Sequence, residues 1–231
     1  MLDMSIRRQT TVVNLLSALR YDILFGTYSD NTMLSENQIA QQYGVSRSTV
    51  RTAFQMLEND GLMESLPNGR HRVRRVDAKY LSDFCSTRSI LECEAVRLIL
   101  QRCTTENIDF SVLLQLVGQL YYCMQIEDDQ ERQQMLPQIH DQFHDQLFIL
   151  AGNRSLHQCR RTLAPLQSII TSVNATLKPN VHEHNFYTSH RTIAELLMAH
   201  DESVIDFVRY HCINATVHDA LAAIQSNRVG K

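Results

Sequence analysis

Residues 34–65 read LSENQIAQQYGVSRSTVRTAFQMLENDGLMES, and this stretch decides the fold of the N-terminal part of the chain. Ser35 followed three residues later by Gln38 is a capping box, which starts a helix at Glu36. Ile39, Ala40 and Tyr43 share one face of that helix, and Gly44 supplies the left-handed backbone that ends it. Val45 is placed to plug the gap before a second helix, which Ser46 caps. Val50, Ala53, Phe54 and Leu57 form the buried stripe of the second helix, leaving Arg47, Ser48, Thr49 and Arg51 towards solvent. Two arginines one turn apart at the start of a helix suit entry into a DNA major groove.

Working outward, Gly61 closes the second helix and residues 62–66 read as a strand. Pro67-Asn68-Gly69 is a turn signal, and residues 70–75, RHRVRR, return as a basic strand. Two helices at a tight turn followed by a basic hairpin make a winged helix. The spacing therefore predicts base and phosphate contacts from Ser46, Arg47, Ser48, Thr49 and Arg51. The wing, through Gly69, Arg70 and His71, is expected at the adjacent minor groove.

Residues 12–76 resemble the winged-helix domain of the GntR family of bacterial transcriptional regulators. The resemblance rests on Leu19-Arg20, Ile23, Gly26, Leu34, Glu36, Ile39-Ala40 and Gly44-Val45-Ser46-Arg47, then Val50-Arg51, Ala53, Leu57-Glu58, Gly61-Leu62 and Gly69. It implies DNA contacts from Arg47, Arg51, the neighbouring hydroxyls and the wing tip. Asp30-Asn31-Thr32-Met33 stands where the family usually has Pro-Gly before the Leu34 position, and the wing is one residue longer between Gly69 and Val73.

The chain has 231 residues, 44% of them apolar, enough for two domains with cores of their own. Residues 1–75 hold nine Lys and Arg against seven Asp and Glu, and the remainder 13 against 18. The DNA-facing part is only mildly basic, so affinity is expected to depend on arginine placement and on doubling in a homodimer. The six cysteines lack Cys-x-x-Cys spacing. With no signal peptide and no apolar run of membrane-spanning length, they read as small core residues of a cytoplasmic protein with no membrane partner.

From Lys79 onwards the pattern is helical, with Pro137, Pro165 and Pro179 as the breakers. Helices are expected at 81–102, 107–126, 131–151, 155–176, 184–199 and 202–226, and the domain boundary at 76/77. The fold class is thus mostly α: a winged helix-turn-helix over residues 1–76 and an all-helical bundle over 77–231.

Nine of the ten histidines lie beyond residue 139. His140 and His144 have the i, i+4 spacing of two imidazoles on one metal, and His190 and His211 fall on the last two helices, where a bundle core can gather ligands. His157, His182, His184, His200 and His218 read as surface or hydrogen-bonded residues.

Residues 80–220 resemble the FCD ligand-binding domain of the FadR-type branch of GntR regulators. The carrying positions are Arg88-Ser-Ile-Leu91-Glu92, Phe143-His144, Leu147, Ala151-Gly152-Asn153, His190-Arg191 and Ile193. The resemblance implies a divalent metal held by one Asp and three His, with a small carboxylate effector bound beside it. His144 and His190 match those ligands, and His140 stands where the Asp is usual, with Asp141 next to it. The usual spacing of the last ligand falls on Cys212. A one-residue deletion near 200–203 would move it to His211 and put Val204 and Val208 on the apolar face, and His211 is preferred.

A four-histidine set suits zinc, with nickel and iron(II) also compatible. It brings no ligand charge, so the ion keeps its full charge for an anionic effector, with Arg88 as the candidate carboxylate partner, unless Arg88 makes a helix-surface pair with Glu92. The expected protein is a transcriptional regulator, in the commoner case a repressor, binding a palindromic double-stranded operator under control of a small effector. Three alternatives stay open: a regulator that senses the metal itself, a DNA binder whose helical domain is purely structural, and a metalloenzyme using His140-Asp-Gln-Phe-His144 as zincin proteases use their two-His motif.

Overall fold

The computed structural model describes residues 4–24, 27–67, 69–74, 76–177 and 179–213. These residues fall into two compact units that meet in the chain between Asp77 and Ala78.

The first unit comprises α1 (Met4–Leu24), β1 (Met33–Leu34), α2 (Glu36–Tyr43), α3 (Arg47–Asn59), β2 (Met63–Ser65) and β3 (His71–Val73). Ser35 caps α2 by accepting from Gln38 N at 3.3 Å, and Gly44 ends it at φ 63° with its N–H on Ala40 O. Ser46 caps α3 by accepting from Thr49 N at 3.1 Å. Ile39, Val50, Ala53, Phe54 and Leu57 are all fully buried, as are Leu19 and Ile23 of α1. Truncating Phe54 to Ala would remove the largest of these and cost about 3–5 kcal/mol.

The sheet is antiparallel in the order β1-β3-β2, so the hairpin expected from sequence gains a third strand of two residues. The chain reaches β1 through Asn31, whose φ of 65° is left-handed and whose N–H reaches Val73 O at 3.1 Å. Asparagine tolerates that backbone better than most residues, so the turn forms without the family's glycine. The turn at Asn68, the end of the basic strand at Arg75, and Gly26 lie outside the described residues.

The second unit contains α4 (Ala78–Cys103), α5 (Ser111–Met124), α6 (Asp129–Ala151), α7 (Arg154–Leu177) and α8 (Pro179–Met198), then a helix α9 at 203–213. The expected helix beyond residue 213 lies outside the described residues. Pro137 and Pro165 sit inside α6 and α7, whereas Pro179 takes the first position of α8, where no hydrogen bond is lost. α6 packs on α4, α5 and α7 around Ile99, Leu113, Leu120, Phe143, Leu147 and Leu197.

The Ala151-Gly152-Asn153 motif has a local cause. Gly152 ends α6 at φ 71°, and a Cβ there would stand 2.8 Å from Arg102 Nη1. That guanidinium donates to Leu150 O at 2.5 Å, satisfying a carbonyl at the helix end. Asn153 then opens α7, its Oδ1 accepting from Leu156 N at 3.0 Å. Between α8 and α9, His200 takes φ 55° and Asp201 Oδ1 accepts from Ser203 N at 2.9 Å.

The cysteines divide. Cys85, Cys123 and Cys212 are buried and Cys93 and Cys103 partly so, but Cys159 is exposed, contrary to its reading as a core residue, because it faces outward from α7. No helix among the described residues is long and apolar enough to cross a membrane.

Candidate nucleic-acid interface and metal centre

In the first unit, the first two turns of α3 present Arg47 and Arg51 with side chains 62% and 58% exposed. Both lie beside Glu36 at the start of α2, Arg51 through two hydrogen bonds and Arg47 Nη2 at 3.5 Å. The three hydroxyls of the turn are engaged with one another. Ser46 Oγ lies 2.8 Å from both Ser48 Oγ and Thr49 Oγ1.

Two expectations are corrected here. Thr49 is 4% exposed rather than solvent-facing, because its position on the helix turns the side chain under Ser46. His71 folds back from the wing. Its Nδ1 lies 2.8 Å from Glu58 Oε1 and its ring meets Phe54 edge-on at 4.6 Å. Arg70 remains exposed, and Gly69 takes φ 72° at the turn. Arg72 and Arg74 both pair with Glu64 across the hairpin, so the wing's cationic side chains are partly neutralised.

In the second unit, His140 and His144 of α6, His190 of α8 and His211 of α9 come together. One ligand nitrogen from each lies within 4.8 Å of the others, and all four residues are buried. The hydrogen bonds fix three of the tautomers. His190 Nδ1 donates to Phe186 O at 2.6 Å. His144 Nδ1 donates to Glu92 Oε2 at 2.9 Å. Thr171 Oγ1 spends its proton on Gln167 O, so it accepts from His140 Nδ1 at 3.1 Å.

Each of these rings therefore keeps a bare Nε2. His144 Nε2 stands 3.1 Å from His140 Nε2 and 3.2 Å from His190 Nε2. Lone pairs facing at that distance repel unless a cation lies among them, and His211 Nδ1 is buried with no hydrogen-bond partner. Burial, reinforced by neighbouring cationic groups, pushes His140, His144 and His211 well below the usual imidazole pKa, and burial takes His190 down to about 4. Neutral imidazoles backed by hydrogen-bond acceptors are the form that binds a divalent metal. The donor set fits such an ion.

Arg88 and Glu92 complete the cluster. Both are buried, with Arg88 Nε donating to Glu92 Oε1 at 2.6 Å and Arg88 Nη2 to His144 Nε2 at 2.9 Å. Their pair is thus in the core and not on a helix surface. Burial is the largest influence on Glu92 and would raise its pKa, but Arg88, His211 and Arg160 together hold the carboxyl below its usual range.

Family models account for both units. That of bacterial regulatory proteins of the gntR family matches residues 11–73, and that of the FCD domain matches residues 83–205, more than half of the chain. The chain belongs to the GntR family, with an FCD domain.

This GntR-family chain is 31% identical over 90 residues to the uncharacterized HTH-type transcriptional regulator YdhC of Bacillus subtilis (strain 168), covering 39% of this chain and 40% of that one. It is 29% identical over 135 residues to the Nta operon transcriptional regulator of Aminobacter aminovorans, covering 57% and 59%. The aligned stretches span about half the length of these curated relatives. Among solved structures, Lar, which controls the expression of the Listeria monocytogenes agr system and mediates virulence, shares the fold. The TM-score is 0.64 at 19% identity, over 93% of this chain and 96% of that one. The matched families and relatives are transcription regulators, not enzymes.

In this GntR-family chain His211, and not Cys212, stands with the other three histidines. Val204 and Val208 face the core, Arg209 is exposed beside Asp206, and His211 joins the cluster while Cys212 Sγ donates to Glu92 Oε2 at 3.3 Å. Asp141 turns from the cluster to pair with Arg160 of α7, which denies it the place of a zincin base. His157 pairs with Asp145 at 2.7 Å and His200 sits in the turn. The side chains of His182 and His184, and all of His218, lie outside the described residues.

Sequence reasoning missed Glu92 as a partner of His144 and Thr171 as a partner of His140. Glu92 had a signal, since it lies one turn from Arg88. Thr171 had none, because only the packing of α7 on α6 brings it near.

Proposed function

We propose that the protein is a homodimeric, DNA-binding transcription regulator whose helical domain holds a divalent metal and a small carboxylate effector. The observation that carries the DNA reading is the pair of exposed arginines on the first two turns of α3, in a chain that belongs to the GntR family. In this reading Arg47 and Arg51 read base edges, Ser46 and Ser48 reach phosphate or base edges, and Gly69 with Arg70 meets the adjacent minor groove. A dimer places two such helices on a palindromic operator.

FCD domains are often metal-associated, and His140, His144, His190 and His211 are the residues that would hold the ion here. Zinc suits an all-imidazole set best, with nickel and iron(II) next. The ion would supply a positive charge to an anionic effector, and the Arg88 guanidinium a bidentate partner for its carboxylate. Effector binding then biases operator occupancy, with release from DNA the expected direction for a repressor; this requires that the ligand discriminate between the DNA-competent and incompetent states.

The complete burial of the four imidazoles also supports a second reading, in which the ion itself is the signal. Elemental analysis with native mass spectrometry of the purified chain reports metal, co-purified ligand and oligomeric state together. Operator binding that switches on adding zinc alone favours the metal sensor. Switching only with an organic acid favours the effector reading. A monomer free of metal that ignores both would refute the proposal.

A further inference from the structure

We propose that Arg88 is a built-in competitor for the metal, so that metal loading and release of its guanidinium for an anionic ligand are one linked event. The inference rests on the reading of the four histidines as a metal centre. His144 Nε2 lies at the meeting point of the cluster, close to His140 Nε2 and His190 Nε2, and Arg88 Nη2 stands 2.9 Å from that same nitrogen. An imidazole nitrogen has one lone pair, and the proton of this ring is held at Nδ1 by Glu92. The lone pair can accept from Arg88 or bind a cation, but not both. Two positive charges competing for it also repel each other in a buried setting where water screens little.

Leaving His144 does not expel Arg88 from the site. Its Nε remains anchored on Glu92 Oε1 at 2.6 Å, so Nη2 is the atom that changes partner. A carboxylate is the chemical class that suits Nη2 once it leaves His144, since a guanidinium N–H makes a charge-assisted hydrogen bond to it. Capturing Arg88 in this way removes the competitor from His144 and raises metal affinity. Linkage then requires that the metal raise affinity for the carboxylate by the same factor.

The test is a cobalt(II) titration of the full chain, followed by visible absorption and calorimetry, for wild type, Arg88→Met, Glu92→Gln and the double variant. The expected result is tighter cobalt binding without Arg88, by about tenfold or more, the scale of one charge-assisted hydrogen bond. The gain should appear in Arg88→Met against wild type and in the double variant against Glu92→Gln. The second comparison decides if they differ, because it leaves no unpaired buried carboxylate. Unchanged or weaker binding there overturns the proposal, and weaker binding is what a merely structural role for Arg88 produces. If neither wild type nor any variant binds cobalt, the metal-centre reading fails, and this inference with it.

Discussion

Arg51 on α3 is clamped by Glu36 at the start of α2, Nε to Oε1 at 2.7 Å and Nη2 to Oε2 at 2.9 Å. The Arg51 hydrogen bond is the main reason the Glu36 carboxyl titrates below its usual range. Glu36 is therefore charged at neutral pH, and it both aims the guanidinium and offsets its charge towards a polyanion. The two side chains meet because Ser35 and Ser46 fix where each helix begins.

Glu36→Gln should strengthen binding to random-sequence duplex and steepen its salt dependence, because Arg47 and Arg51 regain charge for phosphate. The same change should narrow the preference for operator over random duplex, since Arg51 loses its fixed direction. Fluorescence anisotropy at two salt concentrations measures both, and an unaltered salt slope would argue that Glu36 is a bystander.

Arg47→Ala and Arg51→Ala should each weaken operator binding by about 1–3 kcal/mol for every base edge the arginine reads, with little effect on stability because both side chains are exposed. Operator selection followed by titration at moderate salt is the measurement. Full-strength binding by both variants would remove α3 as the reading helix.

Thr49→Val separates burial from recognition. The hydroxyl is buried under Ser46, so its loss should lower thermal stability, by about 0.5–1.5 kcal/mol, and leave operator affinity unchanged. Ser46→Ala should cost about 1 kcal/mol through the lost cap of α3. A Thr49→Val protein of normal stability but poor DNA binding would restore this residue to the interface.

The histidine cluster sets a pH dependence with a definite sign. All four imidazoles have folded-state values below that of an unfolded histidine, about 6.5, chiefly through burial, and His190 is taken down to about 4. In the window between, the unfolded chain takes up protons that the folded chain refuses. Stability is therefore highest above about pH 6.5 and falls as pH drops towards about 4, by up to ~1.4 kcal/mol per pH unit for each histidine. Metal should dissociate over the same acidic range, because protons compete for the ligand nitrogens. Urea unfolding across this range, with and without chelator, tests it, and a flat profile for the metal-free chain would contradict the burial of the cluster.

Sequence by itself determined where α2 and α3 begin and end, because the deciding interactions span only a few residues. Ser35, Gly44, Ser46 and Gly61 act through local hydrogen bonds and backbone angles, and the apolar stripe Val50, Ala53, Phe54 and Leu57 follows from helical periodicity alone. The pairing of His140 with His144 was legible for the same reason. Tertiary structure decided what lies far apart in the chain. It alone brought His190 and His211 to α6, put Glu92 behind His144, folded His71 back onto Phe54, and buried the Arg88–Glu92 pair that local spacing could as well have left on a helix surface. Those outcomes depend on which helix faces meet, and that is set by the summed packing of the core rather than by any short run of residues.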